Sequence, residues 1–394
     1  MLSERNLFLK YVGQTSSDPL MLEVERAEGI WLYGRDGRKY LDLVSGVSVS
    51  NTGHSHPHVI KAVKSQVDKY MHLMVYGEMV QTPQVKYAEL LLENMGGRFE
   101  SVYFVNSGSE AIEGAMKLAK RYTGRSKMVS FNKSYHGSTQ GALSIQGAEF
   151  YRNAYRPLLP EMYQVDFNKL DSLREIDNRT AAVIVEPIQA EAGIILPDND
   201  FLKKLSERCK EVGALLVFDE IQTGFGRVGG LFAMNKFEVY PDILAIAKAM
   251  GGGLPLGAFI SSSEIMSTLS HNPALGHITT FGGHPVSCAA GMAALKIILS
   301  QNLHFESNRK GDKFISNLSH PHIKTIRGSG LFLALELKSP ALLDKFMENS
   351  LENGLIVDRF LFCDDAFRIA PPLIITDKEI DLASDMVINA LNKI

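Results

Sequence analysis

Between about residues 100 and 260 the chain alternates short, continuously apolar runs with amphipathic stretches, and this alternation restricts the fold more than any other feature. SVYFV precedes a helix expected to begin near Ser107, and KMVSF precedes Tyr135-His136-Gly137. AAVIVEP stops at Pro187. Residues 200–213 read as an amphipathic helix closed by Gly213, followed by the buried strand ALLVFDE and by DILAIAKAM. A strand that is apolar on every residue has to be covered on both faces. An α/β fold with a mainly parallel sheet between helices satisfies that demand. Functional side chains then gather at the carboxyl ends of the strands.

The flanks differ from this middle part. Two alternating runs, GIWLYG and RKYLDL, surround Asp36-Gly37 and predict a hairpin. Val59, Val63, Val67 and Tyr70 recur at helical spacing after Pro57. From about residue 290, a helix, two strands, a further helix and a closing helix from Asp377 suggest a smaller α/β unit with its own sheet, which the N-terminal hairpin joins. The expected division is 1–50 and 290–394 for the small domain and 51–289 for the large one.

Composition narrows the function. Hydrophobic residues make up 45% of the 394, enough for a sizeable core. A net charge of −3 without a basic block gives no reason to expect nucleic acid or an anionic membrane as partner. Cys209, Cys288 and Cys363 are far apart and form no CxxC pair, which argues against a disulfide framework or a cysteine-rich zinc site and fits a reducing compartment. The first 13 residues lack the apolar core of a secretory leader, and no apolar run has the length of a membrane span. A cytoplasmic protein is expected.

Three elements carry chemistry. Ser107 and Glu110 fit a capping box, which would leave the N–H groups of Gly108 and Ser109 free to bind an anion such as phosphate. At the end of VFDE, strand alternation sends Asp219 and Glu220 to opposite faces, so they should have different tasks; Asp219 could hold a cationic ring nitrogen. Lys248 ends an apolar strand beside Gly251-Gly252-Gly253. Burial there would lower its amine pKa and suit it to a Schiff base, although alone it equally reads as a lysine reaching solvent from a strand end. Gly224, Gly226 and Gly229 match the dinucleotide fingerprint G-x-G-x-x-G, but they start several residues past the strand and lack the acid expected further on, so they read as a surface loop. Phosphate cradle, carboxylate and lysine on successive strand ends are the parts that pyridoxal phosphate (PLP) requires.

With these parts in place the chain resembles the class III (ω-amino acid) aminotransferases of PLP fold type I over nearly its whole length. The matching motifs are GHSHP at 53–57, NSGSEA at 106–111, YHG at 135–137, EPIQAEAG at 186–193, DEIQTGFGR at 219–227, AKAMGGGLPLG at 247–257, TTFGG at 279–283 and FRIAPPLIIT at 367–376. The resemblance implies a large PLP-binding domain, and a small domain built from both termini. It implies Lys248 as the Schiff-base lysine and proton carrier, Asp219 as partner of the pyridine nitrogen, and Gln222 as partner of the phenolic oxygen. Tyr135 and Ile221 would cover the two ring faces. Ser107, Gly108 and Ser109 would hold the phosphate, and Thr280 would reach the phosphate of the neighbouring subunit of a homodimer. Arg368 would bind the substrate carboxylate, with Glu191 pairing to it when an ω-amine enters. The reaction implied is ping-pong transfer of an amino group from an ω-amino acid or diamine to a 2-oxo acid such as 2-oxoglutarate.

Glu186 reads as structural, anchoring the loop before Pro187. His54, His56 and His136 have no acidic cluster beside them and are not read as metal ligands. Some positions depart from the family pattern. Ser138 stands where enzymes for acetylornithine and ornithine usually carry arginine. Ala190 and Ile278 replace glycines, and His284 replaces a common asparagine. Ornithine, acetylornithine, 4-aminobutyrate, lysine and related diamines therefore all stay open as donor. An aminomutase on the same scaffold is the nearer alternative, which the glutamate at 191 disfavours, and a nicotinamide-dependent dehydrogenase is the remoter one.

Overall fold

In the computed structural model, which describes residues 3–75, 77–198 and 200–394, the hairpin at Asp36-Gly37 joins β2 (Trp31–Gly34) to β3 (Lys39–Asp42). Trp31 lies opposite Leu41, and β1 (Val24–Glu28) pairs with the outer edge of β2. Met1 and Leu2, with which the N-terminal stretch begins, lie outside the described residues.

The apolar runs form a seven-stranded sheet. In chain order its strands are β4 (Ser101–Val105), β5 (Lys127–Phe131), β6 (Met162–Val165), β7 (Thr180–Val185), β8 (Leu215–Asp219), β9 (Ile243–Ile246) and β10 (Gly257–Ser261), and in space they run β4-β10-β9-β8-β7-β5-β6. Only β10 is antiparallel to its neighbours. Both faces are buried, as continuous apolarity requires. Val183, Val185, Phe218, Leu244 and Ile246 enter one core, while Ala182, Ile184, Val217, Ile243 and Ala245 enter another across the sheet. This is the period-2 alternation of a strand with no wet side.

Helix α1 (Pro57–Val67) follows Pro57, one turn shorter than the apolar spacing out to Tyr70 suggests. Helix α2 (Gly108–Thr123) starts at Ser107, whose Oγ accepts from the Glu110 amide at 3.2 Å. The reciprocal half of the expected capping box is absent. The Glu110 carboxylate accepts instead from the amide and side chain of Asn106, at 2.8 and 2.9 Å. Helix α3 (Phe201–Val212) ends at Gly213 with φ +69°, as expected of a left-handed cap.

In the C-terminal part, β11 (Ile323–Ser329), β12 (Phe332–Leu337), β14 (Asp358–Arg359) and β15 (Ala366–Ile369) form an antiparallel sheet ordered β11-β12-β15-β14. Between them, β13 (Leu355–Ile356) leaves to pair in parallel with β3. The N-terminal hairpin is thereby tied to the C-terminal part of the chain.

The glycine stretch 224–230 is not the surface loop expected. Gly224 to Val228 are buried, because fully buried Arg227 draws them inward. Its guanidinium donates to the carbonyls of Leu331 at 2.9 Å and Pro371 at 2.6 Å and to Asn51 Oδ1. A buried cation has to find acceptors, and these carbonyls supply them.

Helix α4 (Pro285–Ser300) packs on the turn that follows β9. Tyr87 donates its hydroxyl to the Met250 carbonyl at 2.6 Å. A Cβ added at Gly291 of α4 would lie 2.1 Å from that carbonyl oxygen and 2.7 Å from the Tyr87 ring. Gly291→Ala should therefore destabilise the fold by about 1–3 kcal/mol, outweighing the roughly 1 kcal/mol that alanine contributes to helix propensity. Urea denaturation of the two proteins checks this, and an unchanged or raised midpoint contradicts it.

Candidate active site

The carboxyl ends of the parallel strands surround a cavity of about 420 Å³. Its wall holds Ser107, Gly108 and Ser109 after β4, Tyr135 and His136 after β5, and Glu186 after β7. Asp219, Ile221 and Gln222 follow from β8, and Lys248 from β9. Eight of the nine residues singled out from sequence for a cofactor line it. Thr280 does not; it is exposed, next to Thr279, which accepts from Asn106 at 3.1 Å.

One end of the cavity suits an anion. The Glu110 amide goes to Ser107 Oγ and the Ala111 amide to the Ser107 carbonyl. The amides of Gly108 and Ser109 then have no intrachain acceptor among the described residues. Two open N–H groups at the start of a 16-residue helix attract negative charge. The Tyr135-His136-Gly137 turn passes over this end. Gly137 has φ +127°, and a Cβ there would sit 2.1 Å from Ser109 Oγ, so only glycine fits. The amide of Ser138 then donates to Ser109 Oγ at 3.2 Å.

The other walls carry charge. Asp219 Oδ1 accepts from the Ile221 amide at 3.1 Å, and Oδ2 lies 2.7 Å from His136 Nδ1. A carboxylate only accepts, so Nδ1 carries the proton and His136 holds Asp219 in place. His136 was passed over in the sequence except as a discarded metal ligand; YHG marks its position but not its partner. Glu220 faces the other way, as expected, and accepts from the amides of Ala233 and Met234 and from Thr223. Burial pushes its carboxyl up to about 7, against those three donors. Glu186 accepts from the Tyr135 and Ala190 amides at 3.0 and 3.1 Å. Burial first, and then the neighbouring Asp219, hold it well above the usual carboxylate range. The two amide hydrogen bonds fit a structural anchor before Pro187.

Lys248 follows β9 in the left-handed region, with φ +54°, a strained setting for a long side chain. Burial lowers its pKa to about 8, assisted by the Arg368 charge and opposed by Glu191, Asp219 and Glu186. The amine is thus neutral in about a tenth of the molecules at pH 7, far more than at its ordinary value of 10.5.

Beyond Lys248, fully buried Arg368 donates to Glu191 Oε1 at 2.6 Å. Glu191 Oε1 also accepts from Gln222 Nε2 at 3.1 Å, and Oε2 from the Leu361 amide at 3.2 Å. Burial raises the Glu191 pKa, but Arg368 and these donors outweigh it and leave it below its ordinary value. Among the described residues, Gln222 Oε1 and His136 Nε2, on two side chains of the cavity wall, are buried without a hydrogen-bond partner.

Residues 12–391 match the family model of the class-III aminotransferases. The acetylornithine aminotransferase of Archaeoglobus fulgidus is 38% identical over 96% of this chain and 98% of its own. The chain belongs to the class III aminotransferases. The ornithine aminotransferase from Toxoplasma gondii ME49 superposes with a TM-score of 0.91 at 30% identity, covering 100% of this chain and 96% of that one. An amine transaminase from an uncultivated Pseudomonas species, solved in its PLP-bound form, gives 0.90 at 27% identity over 97% and 98% of the two chains.

This class III aminotransferase is accordingly an enzyme that uses PLP to move an amino group from a small amino donor to a 2-oxo acid. The donor set described above fits the cofactor's chemistry: open amides for a phosphate, a carboxylate for a ring nitrogen, and a weakly basic amine for an aldehyde.

Lys248 also makes stability depend on pH. Its ordinary value of 10.5 falls to about 8 on folding. Between those limits the unfolded chain binds more protons, so the cofactor-free protein should gain stability as pH rises from about 8 to about 10.5. Lys248→Met removes the effect. At pH 7 it should exceed the cofactor-free wild type by on the order of 1–3 kcal/mol, a range discounted because the side chain borders the cavity. The gap should close toward pH 10.5 in urea titrations, and a gap that widens there contradicts the assignment.

Proposed function

We propose that Lys248 attaches PLP through its aldehyde carbon and that the transfer runs as a ping-pong cycle with 2-oxoglutarate as acceptor. The observation that carries this reading is the Lys248 amine, depressed to about 8 in a cavity between the Asp219 carboxylate and the open start of α2. PLP, when bound, supplies an electron sink for negative charge that develops on the substrate carbon next to the transferred nitrogen.

The remaining work belongs to side chains. Gly108 and Ser109 bind the phosphate through their amides, helped by the Ser107 side chain that caps the helix. Asp219, oriented by His136, keeps the ring nitrogen protonated. Tyr135 and Ile221 pack the ring faces, and Gln222 donates to the phenolic oxygen once it leaves Glu191. Once a substrate amine has taken its place on the cofactor, the Lys248 Nζ would be a free base able to take the proton from the substrate carbon that bears the transferred nitrogen.

Arg368 and Glu191 let one cavity serve two substrates. With an amine lacking a nearby carboxylate, Glu191 satisfies Arg368, as it does at 2.6 Å here. A 2-oxo acid brings its own carboxylate and takes over Arg368, while Glu191 keeps its Leu361 amide as an alternative partner. An exchangeable carboxylate site favours transfer over an aminomutase, which needs no second substrate. The glycine stretch 224–230 supports no dinucleotide site, because Arg227 holds it buried.

We further propose a homodimer in which Thr280 reaches the neighbouring subunit's phosphate. Thr280 lies near exposed apolar side chains, Leu275, Ile278 and Phe281, and Val80 is 94% exposed. Apolar surface of this extent on a soluble enzyme calls for a covering partner. Among the described residues no single helix is long and apolar enough to cross a membrane. A cytoplasmic location is proposed from that, with three free cysteines in support.

Lys248→Ala should abolish the visible absorbance of the lysine-bound cofactor and lower turnover by at least about 10²–10⁴-fold; retained activity overturns the assignment. Arg368→Ala should raise KM for 2-oxoglutarate by about 10–100-fold and KM for a carboxylate-free amine by much less. Steady-state kinetics with both substrates checks this, and equal effects count against the Arg368–Glu191 exchange.

A further inference from the structure

Arg368 faces a second carboxylate. Asp358 Oδ2 lies 3.5 Å from the guanidinium NH1, while Glu191 occupies NH2 at 2.6 Å. The register explains the meeting. Asp358 of β14 stands directly opposite Arg368 of β15 in an antiparallel pair, and directly opposed residues share one face of a sheet. Alternation continues the pattern: Phe360 lies under the guanidinium at 4.9 Å, whereas Arg359 points away and pairs with Asp344 at 2.8 Å.

The next two residues hold the other partner. The amides of Leu361 and Phe362 donate to Glu191, to Oε2 at 3.2 Å and to its carbonyl at 3.0 Å. Residues 358–362, β14 and the bend after it, thus form a short segment that touches both members of the Arg368–Glu191 pair. Its start is fixed from two sides, because β13 pairs with β3 and β14 with β15 only one residue apart. Asp358 is held, not merely tethered.

The two carboxylates differ in what they can do. Glu191 is buried and exchangeable for a substrate carboxylate. The Asp358 side chain is 41% exposed and is set by the register, so it stays when Glu191 leaves. Burial raises its pKa and Arg368 lowers it, with the Glu191 and Lys248 charges acting less strongly. A substrate carboxylate on Arg368 therefore lies beside a fixed negative charge. That charge opposes a donor that places a carboxylate on Arg368, and leaves untouched an ω-amine that keeps Arg368 paired with Glu191.

We propose that Asp358 is a specificity-determining residue that disfavours donors placing a carboxylate on Arg368 relative to ω-amines that leave Arg368 paired with Glu191. The inference rests on Arg368 being the carboxylate site of the proposed transamination. Asp358 acts on substrate charge and takes no part in the proton transfer at Lys248.

The test is the half-reaction of the PLP-loaded enzyme with ornithine and with glutamate, followed as loss of the cofactor's visible absorbance. Asp358→Asn should lower the ratio of kcat/KM for ornithine, reacting at its side-chain amine, to that for glutamate by about tenfold, because the removed charge opposes the carboxylate that glutamate alone places on Arg368. Most of the change should lie in KM. Asp358→Glu should restore the ratio to within about threefold of wild type. In the wild type, raising ionic strength from about 0.05 to about 0.5 M should also lower the ratio, a check that needs no variant. A ratio unmoved by Asp358→Asn or by salt, in a wild type that does react with amines, overturns this inference alone. A wild type that reacts with no amine overturns the functional assignment and the inference together.

Discussion

Taking the Lys248 amine out of water sets most of the constraints on this molecule. A buried ammonium is costly, and the pKa of about 8 reflects that cost after Glu191, Asp219 and Glu186 have compensated part of it. The same carboxylates then need partners of their own. Asp219 takes His136, Glu191 takes Arg368 and Gln222, and Glu186 takes two backbone amides. Each pairing draws a different segment to the strand ends: the YHG turn, the β8 turn, β15 and the loop after β7. The cavity is bounded by the partners that its charges require.

Arg227 extends this logic away from the chemistry. Burial lowers its pKa to about 9, and its Nε lacks a partner even though the rest of the guanidinium reaches Leu331, Pro371 and Asn51. A surrounded arginine of this kind is a weak source of stability but a strong geometric constraint. Pro371 lies three residues after Arg368 in the chain, and Gln222 lies five before Arg227. The cross-link therefore fixes the β15 end relative to the β8 turn, where Arg368 and Gln222 meet Glu191.

Local signals made much of this legible in the sequence. Continuous apolarity marked β4, β5, β7, β8 and β9, and the residues at their carboxyl ends line the cavity. Adjacent acids on a strand gave Asp219 and Glu220 separate tasks, which their separate partners bear out. Signals that depend on a distant partner were not legible. The glycines at 224–230 look solvent-exposed in sequence, since polarity and flexibility are local, whereas the acceptors that bury Arg227 come from residues 51, 331 and 371. Glu110 in the S-x-x-E pattern was read correctly as part of a helix start. Its carboxylate prefers Asn106, which offers two donors where the capping box offers one.

The segment 358–362 shows why a substrate is harder to read than a reaction. Reaction chemistry is carried by residue types that are uncommon in a dry setting, such as a lysine after an apolar strand, and these stand out singly. Charge selection at Arg368 depends on which residue lies across an antiparallel pair, and a one-residue slip would turn Asp358 to the opposite face and bring Arg359 inward, a cation against a cation. The register is set by β13 and β14 pairing with different sheets, a contact between the N-terminal and C-terminal parts of the chain. Specificity for the donor is thus written in the pairing of the small sheets, while the chemistry is written at the ends of the large one.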